Sequence, residues 1–160
     1  MKRVVSIILE ELPFLRPVIM LTKYLLRINK LNDTFTGGIG SFLVFNMIYA
    51  YYQYLFKSRQ IYDDFNLGTF FLGFLKFYAE EFNHEDLGIS LRNGGYFFRK
   101  TESFISTNNS LLCVENFLDP TQDIGRNSYE YEKVRQFFKS LYTKLTTQKN
   151  KISLISLIIK

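Results

Sequence analysis

Cysteine, tryptophan, histidine and proline are scarce in this chain: one Cys, no Trp, one His and 3 Pro in 160 residues. A single thiol, Cys113, cannot close an internal disulfide, and its place in an apolar run fits a buried thiol in a reducing compartment. The lone imidazole, His84, has no second histidine and no cysteine near it in sequence with which to hold a metal. Beside Glu85 and Asp86, at the expected end of a helix, it reads as a solvated side chain. The acidic pairs Asp63-Asp64, Glu80-Glu81 and Glu85-Asp86 are adjacent in sequence, so their members point apart and read as surface or caps, and no Asp-x-Asp occurs anywhere. A long uninterrupted apolar run is also missing. Ile39 to Phe56 approaches membrane-spanning length, but Asn46 and Gln53 break it and neither flank supplies an anchor, so a buried core helix and no membrane contact are expected. Lys2-Arg3 before Val-Val-Ser-Ile-Ile imitates an export signal, yet Glu10 and Glu11 end the run early and no small-residue cleavage site follows; secretion is not expected.

What is present is apolar and aromatic. Hydrophobic residues make up 47% and aromatic ones 18%, and a chain of this length forms one domain, residues 1–160, able to bury roughly 70% of its unfolded surface. Charge is unevenly spread. Met1 to Gln60 carries 8 basic and 3 acidic residues, Ile61 to Glu132 carries 5 and 12, and Lys133 to Lys160 carries 7 and 0. Two basic ends around an acidic middle suit a protein that meets a polyanion along one side, or one with a solvated surface.

Periodicity predicts helices in most places. Phe71, Phe74, Leu75, Tyr78 and Phe82 fall on one helical face, as do Val134, Phe137, Phe138, Leu141 and Leu145. Pro13 separates the first helix from the second, Thr36-Gly37-Gly38 is a turn before the third, and Asn127 or Ser128 is the expected N-cap of the last. Two short apolar runs about Asn93-Gly94-Gly95 give one hairpin signal. The expected fold is mainly α, a compact helical domain with one small β-hairpin and a loop between hairpin and C-terminal helix.

Leu111 to Tyr129 carries the most functional information: LLCVENFLDPTQDIGRNSY, an apolar strand-like run, an acidic turn, a Gly-Arg step and a polar helix start. It resembles the nucleotide-recognition segment of the polymerase β-like RNA nucleotidyltransferases, whose members read IEDP and then NDVGRSSY. Three further blocks agree, in order: Leu15 to Val44 is similar to the family's helix, turn and Thr-Gly-Gly step, Asn66 to Asn83 to its NLG-and-helix block, and the closing SLISLIIK to the end of the domain in Trf-type poly(A) polymerases. Nearly the whole chain is covered. The resemblance is therefore to the central, PAP-associated domain of a Trf-type poly(A) RNA polymerase.

That resemblance gives the candidate residues their roles. On the second helix Arg16, Lys23, Arg27 and Lys30 fall within about a 60° arc opposite Val18, Leu21, Leu25 and Ile28. Alone, this basic stripe reads equally as a solvated face; by resemblance, Lys23 and Arg27 contact the phosphates of a nucleoside triphosphate. Gly37 and Gly38 would supply a turn barred to other residues, and Ser41 with Phe42 would begin a helix aimed at the ligand. Phe42 is the stacking candidate, or else one of many core phenylalanines. Asn116 and Gln122 would read the base edge. Asn116 stands where the family has aspartate, and its amide can donate or accept without charge. Gln122 stands where uridylyl-preferring members have histidine, which points away from UTP. Gly125 and Arg126 match the family's Gly-Arg step, or serve the loop as a left-handed turn and an ion pair.

The catalytic half is missing. Nucleotidyl transfer in this family uses two metal ions held by an Asp-x-Asp after a Gly-Ser and by a third aspartate. Gly40-Ser41 imitates that start, but no acid follows before Asp63, so no catalytic or metal-binding residue is expected in this chain. The resemblance implies ATP with Mg or Mn in an intact enzyme, with none held by this chain alone. It also implies an RNA 3′ end as substrate, a catalytic domain in cis or trans, a zinc-knuckle RNA-binding partner, and a nuclear or cytoplasmic location. The alternatives are a non-catalytic scaffold or RNA-binding module, and part of a terminal uridylyltransferase.

Overall fold

The computed structural model describes residues 2–60, 65–106 and 108–147. The closing SLISLIIK block and Asp63-Asp64 lie outside the described residues. The helices are α1 (Lys2–Glu11), α2 (Leu15–Ile28), α3 (Ser41–Lys57), α4 (Leu67–Lys76) and α5 (Tyr131–Thr147). Pro13 falls between α1 and α2 as expected, and Pro17 sits in the first turn of α2, where a missing N–H costs nothing.

The core is built around α3. The run that approaches membrane length is a buried core helix, and no helix among the described residues is long and apolar enough to cross a membrane. The two polar residues that interrupt it are accommodated inside: Asn46 Nδ2 donates to the Phe42 carbonyl at 2.8 Å, and Gln53 Nε2 donates to the Leu91 carbonyl at 3.1 Å. Along one side of α3, Phe42, Phe45, Tyr49, Tyr52 and Phe56 follow each other with ring centroids 5.9 to 6.4 Å apart. Leu15 and Leu26 of α2, Phe74 and Leu75 of α4, Tyr78 just beyond it, and Val134 and Phe138 of α5 close the core around Ile48 of α3, all at 0–1% exposure.

The expected hairpin forms: β1 (Leu87–Ser90) pairs antiparallel with β2 (Tyr96–Arg99), in register Ser90↔Tyr96. Asn93, Gly94 and Gly95 all take positive φ in its turn. A second, shorter pair was not expected. β3 (Glu115–Asn116) pairs antiparallel with β4 (Asp119–Asp123), inside the segment read as a loop, and Val114 bridges in parallel to Ile89 of β1. The recognition segment is therefore hung on the first hairpin.

Four expectations need correction. The face from Phe71 to Phe82 is not one α-helix: α4 passes into a π-helical turn, Phe77–Glu81, where the Phe82 N–H reaches the Phe77 carbonyl at 2.8 Å. Lys30 does not continue the basic stripe of α2, because the helix ends at Ile28 and Lys30 turns away with φ 57°; Ile28, expected to be inward, is exposed. His84 is not solvated but only 4% exposed, packed edge-on against Tyr131 with ring centroids 4.8 Å apart. Ser128 does not cap α5 through its side chain. Its hydroxyl donates to the Gly125 carbonyl at 2.5 Å and accepts the Leu112 N–H at 3.0 Å, tying the recognition segment's two ends together.

Candidate functional site

α2 and the start of α3 carry four of the sequence-predicted residues, and the fold brings them together. Lys23 and Ser41 line two adjoining clefts. One, of about 390 Å³, is walled by Val5, Leu9, Ile19, Phe42 and Phe45, with Lys2, Arg16 and Lys23 at its rim. The other, of about 330 Å³, adds Arg27, Tyr24, Met20 and Asn32. Both volumes fall in the range of small-ligand sites. Apolar walls with cations at the edge suit a flat aromatic group carrying anionic substituents. Lys23 and Arg27 are exposed and form no ion pair or hydrogen bond among the described residues, so their charge is uncommitted.

The turn before α3 explains why Ser41 and Phe42 sit here. Asp33 Oδ1 accepts the Phe35 N–H at 2.9 Å, and Gly37 follows with φ 83°, a conformation glycine adopts without cost. Gly38 has an ordinary φ; its reason is space, since a Cβ would lie 2.3 Å from the Leu31 carbonyl oxygen. Ser41 and Phe42 then open α3 with its first N–H groups free. Phe42 is half-buried, next to Phe45 in the ring ladder, and both rings line the first cleft.

The recognition segment meets this turn at two points. The Phe117 ring lies 5.8 Å from that of Phe42, tilted by 54°. At the other end the Tyr129 hydroxyl donates to the Phe35 carbonyl at 2.6 Å, and the Glu130 N–H donates to the Gly37 carbonyl at 3.0 Å. Neither Phe117 nor Tyr129 was singled out from sequence. Phe117 stands at the proline of the family's IEDP, and that departure was the available signal.

Within the segment, alternate residues of β3 do opposite jobs. Glu115 is 8% exposed and points back to the first hairpin, where Oε1 accepts from Ser90 Oγ at 3.0 Å and Arg92 Nε at 2.5 Å. Asn116 points the other way, its Oδ1 accepting the Leu118 N–H at 3.0 Å. Gln122 is exposed on β4. Asp123 turns inward: its Oδ1 accepts the N–H groups of Val114 at 2.9 Å and Gly125 at 2.8 Å, while burial pushes its carboxyl above the usual range. Gly125 is not in a left-handed turn. A Cβ there would lie 1.8 Å from the Leu112 carbonyl oxygen, so close backbone approach is what requires glycine. Arg126 is exposed and forms no ion pair among the described residues, so the loop-pinning bond considered for it is not made.

Lys100 was also overlooked. It is 4% exposed, and its Nζ donates to the carbonyls of Asn109 at 3.1 Å and Leu111 at 2.6 Å, holding the loop that leads into the recognition segment. Burial lowers its pKa, and burial likewise pushes the neighbouring Cys113 thiol up to about 12, which leaves it inert.

Residues 66–122 match the model of the Cid1 family poly A polymerase, the PAP-associated domain. Across residues 66–122 this chain carries the PAP-associated segment of that family. Among its relatives, Poly(A) RNA polymerase CID14 of Cryptococcus neoformans is 32% identical over 147 residues, which are 90% of this chain and 19% of that protein. The Inactive non-canonical poly(A) RNA polymerase protein Trf4-2 of Drosophila melanogaster is 30% identical over 144 residues, 86% of this chain and 35% of that protein. The chain thus spans well under half the length of these relatives. In fold, it resembles the polymerase core of TRAMP, an RNA surveillance complex, with TM-score 0.76 and 24% identity over 84% of this chain and 43% of that one. It also resembles Cid1 bound to the UTP analog UMPNPP, with TM-score 0.76 and 20% identity over 91% and 58%.

The clefts contain no Asp or Glu, and among the described residues no group of three or more His, Cys, Asp or Glu side chains could hold a metal ion. The lining offers cations and apolar surface but no carboxylate, so it supplies no ligand set for a divalent cation among the described residues.

Proposed function

We propose that this domain recognises the base and triphosphate of the incoming nucleotide in an RNA-tailing nucleotidyltransferase that adds adenylates to RNA 3′ ends. The observation that carries the proposal is the convergence of Lys23, Arg27, Ser41 and Phe42 on two joined clefts, with an apolar wall on one side and uncommitted cations at the rim. In this reading Phe42 stacks on adenine, Lys23 and Arg27 hold phosphates, and Asn116 with Gln122 faces the base edge. A catalytic domain, in cis or trans, supplies the carboxylates and the Mg or Mn ions. The reading includes the RNA 3′ end as the second substrate. It also includes a nuclear site of action and a zinc-knuckle RNA-binding partner, both carried only by the resemblance of the sequence to Trf-type polymerases.

The test is an isotope-edited NMR titration of the chain with ATP carried to millimolar concentration, where the weak binding expected of an isolated half-site still registers as shifts. Shifts at the amides of Lys23, Arg27 and Ser41 and at the Phe42 ring are expected; shifts confined to other surfaces would refute the assignment. A second reading, a module without chemistry, is favoured by the Drosophila relative that is itself named inactive. RNA binding that persists without nucleotide and falls steeply with salt would support that reading.

A further inference from the structure

Between the end of α2 and one side of α5 lies an open groove of about 790 Å³ that shares no lining residue with the two clefts of the candidate site. α5 gives it one stripe, Lys133, Gln136, Phe137, Ser140, Leu141 and Lys144, which at about 1.5 Å per residue runs for roughly three turns. Opposite stand Leu25, Ile28 and Asn29, with Leu31 just beyond the helix. The floor is apolar: Leu25 and Leu141 are buried, Leu31 and Phe137 are half-buried, and Ile28 is left 43% exposed. The ends are basic. Lys144 forms no ion pair among the described residues, Lys133 shares Glu130 at 3.0 Å, and no Asp or Glu is among the groove's described lining residues. α5 as a whole carries four basic residues against one acidic.

We propose that this groove docks a partner protein through an acidic amphipathic helix, whose apolar face lies on Ile28, Phe137 and Leu141 and whose carboxylates reach Lys144 and Lys133. Charge complementarity selects this occupant. Residues 148–160, which follow α5, carry Lys149, Lys151 and Lys160 and no acid, so the chain's own continuation brings like charge to a basic rim. A single strand of RNA needs stacking faces beside its phosphates. The groove offers one aromatic ring, half-buried, and the neutral side chains of Asn29, Gln136 and Ser140 between its cations. A stripe about three turns long with apolar residues at its centre matches a helix of like length. Because the groove and the two clefts have separate linings, the partner and a small ligand can be held together. The partner would also brace the turn before α3, since the Leu31 carbonyl accepts the Ile39 N–H at 2.8 Å.

The experiment is an isotope-edited NMR titration of the whole chain with two synthetic helical peptides, each about four turns long. They share one leucine face and differ only in their polar residues, glutamate in one and lysine in the other. The glutamate peptide should bind about tenfold more tightly, with shifts at the amides of Ile28, Asn29, Gln136, Ser140 and Lys144. Lys144→Glu, at an exposed position, should cut that preference to about threefold or less, and Ile28→Ser should weaken both peptides. No binding, equal binding of the two peptides, shifts confined to other surfaces, or a preference unmoved by Lys144→Glu overturns the proposal. So does tighter binding of an oligouridylate at these same amides, which would make the groove an RNA site. Nuclear Overhauser contacts in the free chain between the methyl groups of residues 152–159 and the Phe137 ring would show the groove filled by its own chain, and overturn it as well.

Discussion

Gly125→Ala separates two accounts of the Gly-Arg step. If glycine were there for a left-handed turn, an alanine would be strained by its own backbone; instead, Gly125 has no positive φ, and the obstacle is a neighbour. The new Cβ would lie 1.8 Å from the Leu112 carbonyl oxygen and 2.7 Å from its carbon. A relaxed contact needs about 3.5 Å, so the two backbones must part by about 1.7 Å. Both atoms are main chain, and no side chain can swing aside. The separation also stretches the Ser128 bridge, whose hydroxyl joins Leu112 N–H to the Gly125 carbonyl. Overpacking costs about 1–3 kcal/mol and a lost hydrogen bond about 1 kcal/mol more, so destabilisation of about 2–4 kcal/mol is expected. For a domain of this size that lowers Tm by about 5–15 °C. Thermal unfolding followed by circular dichroism reads the effect directly. Gly40→Ala is the control, since its Cβ would meet only the Thr34 methyl at 3.1 Å and its φ is −74°. A Gly125→Ala protein that melts within about 2 °C of the native one would refute the close-approach argument.

Phe42→Ala should weaken ATP binding by about 1–3 kcal/mol, the worth of one stacked base, in the same NMR titration; unchanged affinity would return Phe42 to the core phenylalanines. His84 is held below its ordinary value of 6.5, first by burial and then by the charges of Lys100 and Arg135, against the opposing pull of Glu132 and Glu85. The unfolded chain therefore binds the proton more readily, and stability should fall as pH drops from 6.5 through the lowered value. The ring's NMR titration checks this, and a midpoint at or above 6.5 contradicts it. Lys100→Met keeps the buried stem but leaves the Asn109 and Leu111 carbonyls without their donor; a loss of about 1–2 kcal/mol is expected, with faster hydrogen exchange through the loop before Leu112.

Much of the architecture was legible because it follows spacing. The apolar faces of α4 and α5, the break at Pro13 and the Asn93-Gly94-Gly95 turn are local properties, and each was placed from the residues alone. The π-helical turn was not, because Phe77 and Phe82 suit an α and a π turn equally; packing around Tyr78, whose hydroxyl reaches the Met47 carbonyl at 2.7 Å, accompanies the wider turn. The β3–β4 pair escaped notice because Asp119, Pro120 and Asn116 read as turn formers, whereas the side chains of Asn116 and Asp119 bond locally while the backbone still pairs. In the site, residue types that match a family segment could be named, but their direction could not. Glu115 inward and Asn116 outward, Asp123 inward and Arg126 outward are decisions of tertiary contact. The burial of His84 is another: three charged or amide neighbours in sequence gave no hint of Tyr131 above it.

The bonds from Tyr129 to Phe35 and from Glu130 to Gly37, with the Phe42–Phe117 contact at the tip of the β3–β4 pair, pin the recognition segment at its end and at its tip to the turn and first residues of α3. Mechanically, this makes one stiff jaw. Were the segment to swing open for an entering nucleotide, it would have to shear two hydrogen bonds and an aromatic contact at once. On the proposed reading, then, the hinge that admits and releases nucleotide belongs between this domain and its catalytic counterpart, and fidelity toward the base depends on a surface that does not adapt to what it holds.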